Sequence, residues 1–196
     1  MPLFVDHEER RTQILDAAAS VIAERGLGQF SLRAVGKAMG GSISLVTHYF
    51  DTRDLVLSAL VQRMHADVEA VSRDLAAACD PRERVYLAMT HLIPGTDRAR
   101  VNERVRLALV AHDDSLRAEA AALETRRREL IRSAFAEAVP SSQLERSVDL
   151  VQLWTRGLAV VASELPDEWT STRQLSAANQ LLELMQLSSP PRGGRS

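Results

Sequence analysis

The segment with the clearest capacity for chemistry lies between Leu32 and Phe50, where polar side chains follow the Gly40-Gly41 turn. Their hydroxyl, imidazole and phenol groups can donate hydrogen bonds to phosphates or to base edges. These residues are Ser42, Ser44, Thr47, His48 and Tyr49. Leu45, which lies among them, could contact a thymine methyl group. Ser42 could instead act only as a helix cap, and Tyr49 only as a packing residue.

Two short helices must hold this segment in place. The apolar residues that fall at helical spacing are Leu32, Val35 and Met39 in the first helix, and Val46 and Phe50 in the second. Gly40 can adopt the left-handed conformation that ends the first helix, and Ser42 is a natural N-cap for the second. Gly36 lies where the helices cross and only a small side chain fits. The pattern predicts a helix-turn-helix, although an ordinary helical hairpin of a bundle is the alternative.

Composition argues against several other classes of protein. The chain has 196 residues, a net charge of −2 and only 4% aromatic residues. The scarcity of aromatic residues favours helices over strands. Because the net charge is slightly negative, any contact with nucleic acid must be local. Its one cysteine, Cys79, excludes an intramolecular disulfide framework. No metal-ligand spacing, phosphate loop or nucleophile elbow is present, so we expect no metal, no cofactor and no enzyme activity. The start lacks a signal peptide, and no apolar run approaches the roughly 18 residues of a membrane span.

Proline and capping signals divide the chain into helices. Asp80-Pro81-Arg82-Glu83 and the pair Ser142 and Glu145 are predicted capping boxes, and Gly26 is a predicted helix stop. We predict an all-α protein of about nine helices, near 8–25, 32–39, 43–50, 53–78, 81–93, 97–112, 115–138, 142–164 and 171–187. The tail 188–196 is expected to be disordered.

Five short motifs cover about the first quarter of the chain almost continuously. They are Arg11-x-x-Ile14-Leu15-x-Ala17-Ala18, Glu24-Arg25-Gly26, Ser31-Leu32-Arg33-x-Val35-Gly36, Met39-Gly40-Gly41-Ser42 and His48-Tyr49-Phe50-Asp51-Thr52-Arg53-Asp54-Leu55-Val56. Together they resemble the N-terminal signature of TetR-type transcriptional regulators, and the run from Ser42 to Phe50 is most similar to the BetI-like branch. Gly36 replaces the usual alanine of that signature, and Ile43 replaces a common lysine.

The resemblance implies a helix-turn-helix DNA-binding domain at 1–52, a ligand-sensing and dimerisation bundle at 53–187 and a tail at 188–196. It implies a cytoplasmic homodimer that represses transcription from a palindromic double-stranded operator and is released by a small-molecule effector. Helix 43–50 would enter the major groove, and Arg33 and Arg53 would bind phosphates. The expected DNA-binding residues are Ser31, Arg33, Ser42, Ile43, Ser44, Leu45, Thr47, His48, Tyr49 and Arg53. The alternatives are a constitutive regulator without a ligand, and a helical enzyme or small-molecule carrier.

The bundle helices have wide apolar faces, which form either plain core or the wall of a pocket. The candidate effector-binding residues are Met64, Tyr86, Met89, His91 and Trp154. The candidate dimer residues are Leu153, Gly157, Val160, Val161, Leu175, Ala178, Leu182 and Met185. Gly157 is the sharpest of these, because a glycine inside a helix costs about 1 kcal/mol relative to alanine. The triplet Arg126-Arg127-Arg128 is expected to form a solvated helix face.

Overall fold

In the computed structural model, residues 7–112 and 114–187 are described, without the side chains of 111–116. These ranges contain nine α-helices, two short 3-10 helices and no strand, which confirms the predicted fold class. The α-helices are α1 (His7–Arg25), α2 (Leu32–Ala38), α3 (Ile43–Thr47), α4 (Arg53–Ala77), α5 (Pro81–Leu92), α6 (Asp97–His112), α7 (Asp114–Phe135), α8 (Leu144–Glu164) and α9 (Ser171–Leu184). The 3-10 helices are Leu27–Gln29 and Ser141–Gln143. The predicted disordered tail lies outside the described residues.

Two of the predicted helix ends are confirmed. Gly26 has φ 76° and donates its N–H to the carbonyl of Ile22 at 2.9 Å, which ends α1. Asp80 caps α5, because its carboxylate accepts the N–H of Arg82 at 2.9 Å and Pro81 takes the first helical position. A proline costs nothing there, because that amide would have no partner within the helix.

The predicted capping box of Ser142 and Glu145 is wrong. A 3-10 helix occupies Ser141–Gln143, and α8 begins only at Leu144 without a side-chain cap. Glu145 instead accepts hydrogen bonds from two arginines of α7, Arg128 and Arg132. Ion pairing to a neighbouring helix has therefore replaced a local cap.

The chain forms two compact units. Unit 1 contains the described residues within 1–65 and 101–121, and unit 2 those within 66–100 and 122–196. In unit 1, α1 packs on α2 and α2 packs on α3. The buried side chains of these three helices include Ile14, Ile22 and Val35, none more than 1% exposed. This packing supplies the scaffold that a helix as short as α3 cannot provide for itself.

Unit 2 has its own apolar core, built from α5, α7, α8 and α9 with the end of α4. Its fully buried members include Val85, Met89, Ile131, Phe135 and Val151. Within the described residues, no helix is both long and apolar enough to cross a membrane.

Ion pairs join α7 to α8 at the surface of unit 2. Arg128 binds Glu145 at 2.9 Å and Asp149 at 2.6 Å, and Arg132 binds Glu145 at 2.8 Å. Arg126 is exposed and binds Glu69. The basic triplet is therefore a solvated face only in part, since Arg128 joins two helices.

Candidate nucleic-acid interface

The turn between α2 and α3 is held by its own backbone. Gly40 has φ 71°, as predicted, and donates its N–H to the carbonyl of Lys37 at 3.0 Å. The N–H of Gly41 donates to the carbonyl of Gly36 at 2.9 Å, and the backbone of Gly36 lies directly against that of Ser42. The helix-turn-helix geometry predicted from the glycines is confirmed, and it fixes the direction in which α3 leaves α2.

Two apolar side chains anchor the α3 segment. Val46 is fully buried and Phe50 is 3% exposed. The helix is shorter than predicted, because α3 ends at Thr47, and His48 and Tyr49 form a turn that leads to Phe50. The amide of Phe50 still donates to the carbonyl of Val46 at 3.0 Å. The turn keeps Phe50 in the core, while Ser44 and His48 on the opposite side of this segment and Ile43 at its start stay exposed.

The polar side chains in and beside α3 make hydrogen bonds within this segment. Ser42 stands at the N-cap position but makes no side-chain cap bond, which corrects that part of the expectation; its hydroxyl lies 2.5 Å from that of Ser44. The Thr47 hydroxyl donates to the carbonyls of Ile43 and Ser44 at 3.3 and 3.4 Å. With its proton engaged in the helix, Thr47 offers an acceptor to an incoming donor group.

The predicted phosphate-binding residues differ in how free they are. Arg33 is exposed and makes no hydrogen bond or ion pair with the described part of the chain. Ser31 caps α2 as expected, accepting the N–H of Ala34 at 3.2 Å. Arg53 donates from Nη2 to the carbonyl of Leu27 at 3.0 Å, and its guanidinium lies 5.7 Å from the Phe30 ring. Arg53 therefore also has a structural contact that a substitution would remove.

The start of α1 also reaches this surface, which the sequence reasoning missed. The ring of His7 lies 5.7 Å from that of Tyr49 and 6.4 Å from that of His48. Arg11 donates to the carbonyl of Tyr49 at 3.4 Å. Arg10 lines an open recess together with Ser44, Leu45, His48 and Tyr49. The adjacent arginines of the first helix were a signal in the sequence, but only the fold brings them to α3.

The charged groups of this interface suit binding of an anion and not of a cation. The described residues contain no group of three or more His, Cys, Asp or Glu side chains that could hold a metal ion. Exposed donors around a short, anchored helix are the arrangement that a nucleic-acid reader needs.

Comparison with known proteins points to one family. Residues 14–60, which span α2, α3 and parts of α1 and α4, match the family model of bacterial regulatory proteins, tetR family. Residues 14–60 are therefore a TetR-type N-terminal domain. The regulator PksA of Bacillus subtilis is 32% identical over 113 residues, which cover 57% of this chain and 55% of PksA. The regulator BetI of Burkholderia lata is 28% identical over 167 residues, which cover 80% of this chain and 86% of BetI.

Solved structures share the fold of this chain. A transcriptional regulator from Saccharomonospora viridis in complex with choline has a TM-score of 0.72 at 18% identity, covering 90% of this chain and 96% of its own. FadR of Bacillus subtilis in complex with stearoyl-CoA has a TM-score of 0.69 at 20% identity, covering 91% and 97%. Both are matched along nearly their whole length.

The candidate effector residues have different environments. Met64 is buried in unit 1, and the other four lie in unit 2. There Met89 belongs to the core cluster and Trp154 packs against it, half-buried, while Tyr86 is 40% exposed. Burial lowers the pKa of the half-buried His91 below its ordinary value of 6.5, and the Asp67 carboxylate opposes that shift. The role of these residues in binding an effector stays a prediction.

The candidate dimer residues differ in how far they are exposed to solvent. On α8, Leu153 is 73% exposed, Val160 is 37% exposed, and Gly157 has open space where a Cβ would be. On α9, Ala178 and Leu182 lie in the core of unit 2. The others, Val161, Leu175 and Met185, are half-buried. Two further leucines outside the candidate set are exposed, Leu150 at 47% and Leu184 at 84%.

Proposed function

We propose that this protein is a TetR-type regulator, a homodimeric repressor that binds a palindromic operator through α3 and leaves it when a small-molecule effector binds. One observation carries the proposal. A five-residue helix is anchored by buried Val46 and Phe50, while Ser44 and His48 on its other side and Ile43 at its start are exposed. A helix this short cannot be stable alone, and a scaffold that presents its polar side suits insertion into a major groove.

The residues divide into readers of bases and binders of phosphate. Leu45 would contact a thymine methyl group, while Thr47 and His48 would hydrogen-bond to base edges. Ser42, Ser44 and Tyr49 would support these contacts, and Ile43 adds apolar surface at the start of α3. Exposed Arg33, with Ser31 beside it, would bind phosphate and fix the register. Arg53 combines a phosphate contact with its bond to Leu27.

An unpartnered apolar face on α8 supports the homodimer. Leu150, Leu153 and Val160 are exposed at helical spacing around Gly157. Exposed apolar side chains grouped on one helix face are uncommon in a monomer and favour an interface. A two-fold axis through this face would present two copies of α3 to two half-sites, which doubles the DNA-binding surface and explains a palindromic operator. On α9, Leu184 lies on the outer side, whereas Ala178 and Leu182 contribute core support.

The helical neighbours support response to an effector. One neighbour is in complex with choline and another with stearoyl-CoA, two ligands of very different size and charge. In unit 2, half-buried His91 and Trp154 offer polar-tipped walls beside an apolar core. An effector releases DNA only if it binds the DNA-incompetent state more tightly than the competent one. We place this activity in the cytoplasm, where the operator is accessible.

Selection from a pool of random DNA duplexes tests the proposal. The account predicts enrichment of a two-fold symmetric sequence whose binding weakens steeply with salt. A screen of quaternary amines and acyl thioesters by thermal shift, followed by operator release, then tests the effector. Failure to enrich any DNA sequence would overturn the proposal that the protein is a repressor. An enriched operator from which no stabilising ligand releases the protein would instead favour the constitutive regulator.

A further inference from the structure

We infer that Arg10, at the start of α1, binds a backbone phosphate beside α3 and so fixes how deeply α3 enters the groove. This inference rests on the proposed function. The helix α3 itself contains no lysine or arginine. A cation that neutralises phosphate next to this helix must come from another element, and Arg10 is the arginine that lines the recess beside α3.

The site is an open recess of about 370 Å³ lined by Arg10, Ser44, Leu45, His48 and Tyr49. Four of these five side chains carry hydrogen-bond donors, and one carries a permanent charge. A phosphodiester presents only acceptor oxygens and one negative charge, so the donor set matches it. Leu45 in the same recess is the candidate for a base contact, which couples phosphate binding to base reading.

The position of Arg10 is fixed by the residues on either side of it. His7 places its ring 5.7 Å from that of Tyr49. Arg11 donates to the carbonyl of Tyr49 at 3.4 Å, and its guanidinium lies 4.5 Å above the Phe50 ring. These interactions hold the first turn of α1 against the segment that follows α3. A side chain fixed on such a scaffold binds phosphate with a smaller entropy cost than one on a free arm.

The guanidinium of Arg10 keeps its charge available. Its Nη1 donates to the neutral amide oxygen of Gln13 at 2.8 Å, and it makes no ion pair with any described carboxylate. The nearby carboxylate of Glu9 accepts the Gln13 amide at 3.3 Å instead. Arg11, by contrast, is stacked on an aromatic ring. Arg10 is therefore the cation of the pair that can bind phosphate.

The first test measures salt-dependent binding of the Arg10→Gln variant to the selected operator. Removing one arginine–phosphate interaction from each half-site should lower the slope of log affinity against log salt by about 1.8 per dimer and weaken binding by about tenfold. Arg10→Lys keeps the charge and should restore most of the slope. Arg25→Gln removes an exposed arginine at the other end of α1 and should change neither quantity.

A second test identifies the phosphate. Neutral methylphosphonate is placed at one operator position at a time, and the substitution that weakens the wild type without further weakening Arg10→Gln marks the partner. An unchanged slope and affinity for Arg10→Gln, with Thr47→Ala altering base preference, would overturn the inference and leave the proposed function standing. If Thr47→Ala also binds and selects as the wild type does, both fail.

Discussion

An ideal Cβ atom built on Gly36 would lie 2.7 Å from the carbonyl oxygen of Ser42. The same atom would lie 2.9 Å from the Ser42 carbonyl carbon. Both neighbours belong to the backbone, so no side chain can rotate away to make room. Glycine at this position therefore lets α2 touch the entry to α3, and this close approach sets where α3 begins.

We expect Gly36→Ala to destabilise unit 1. Alanine favours a helix by about 1 kcal/mol over glycine, but overpacking against a fixed backbone costs about 1–3 kcal/mol. The net change should be a decrease of up to about 2 kcal/mol in the free energy of unfolding, measured by urea denaturation. Gly28→Ala is the matched control, because a Cβ there meets nothing within 4 Å.

A gain of about 1 kcal/mol for Gly36→Ala would contradict this account. That result would mean that α3 can move away from α2 without loss of stability. The close approach of Gly36 to Ser42 would then not fix the position of α3. Operator affinity should fall with stability in the same variant, because any shift of the Ser42 backbone displaces α3.

Gly157→Leu is expected to weaken the dimer and to stabilise the helix that carries it. A Cβ at Gly157 meets nothing within 4 Å in the protomer, so leucine fits the single chain. The helix should gain up to about 1 kcal/mol from the replacement of glycine. At a close helix approach to a partner, the added side chain should lower dimer affinity at least about tenfold, equivalent to about 1.4 kcal/mol.

Sedimentation at low micromolar concentration measures this change, and Ala76→Leu provides the control. Ala76 is an exposed residue of α4, so the control adds the same side chain at a helical position outside the apolar face of α8. Weaker dimerisation of Gly157→Leu should be accompanied by weaker operator binding, because the two half-sites are then no longer held in register. A dimer as tight as that of the wild type would place Gly157 away from the interface.

Through Glu145, the folding stability of the protein should depend on pH in the acidic range. Hydrogen bonds from Arg132, and secondarily from Arg128, lower the pKa of Glu145 below its ordinary value of 4.5. The charged carboxylate of Glu145 is thus favoured in the folded state. Its contribution to the free energy of unfolding is complete above pH 4.5 and disappears as the pH falls through the lower pKa of the folded state. Glu145→Gln should be less stable than the wild type at about pH 7, and the gap should narrow at more acidic pH.

Urea unfolding across roughly pH 3–7 measures the gap. Glu183→Gln is a suitable control, since Glu183 is exposed on α9 and makes no ion pair with the described residues. A gap for Glu145→Gln that stays constant across this range would show that the bonds to Arg132 and Arg128 act through packing and not through charge.

Sequence predicted the features that depend on neighbours along the chain. Gly40 requires a left-handed backbone, and Ser31 has a helix amide within reach of its hydroxyl; both signals are local, and both are confirmed. The end of α3 was missed because Phe50 falls at helical spacing from Val46. That spacing also fits a turn, and Phe50 reaches the core from one.

Features that depend on residues far apart in the sequence could not be predicted in the same way. The α9 sequence contains two adjacent apolar rows, and periodicity cannot tell which faces the chain's own core. The structure puts Ala178 and Leu182 inside and leaves Leu184 exposed. The place of Arg10 beside α3 likewise depends on how α1 packs, 34 positions away from Ser44 along the printed sequence.

The most direct test of base reading by α3 is to repeat the duplex selection with Leu45→Ala and Thr47→Ala. The account predicts that each variant changes the preferred base at a particular position, repeated symmetrically in both half-sites. Arg33→Ala, measured alongside, should weaken all sequences alike, because a phosphate contact carries no sequence information. Recovery of the wild-type sequence by both α3 variants, with unchanged affinity, would contradict the assignment of α3 as the reader.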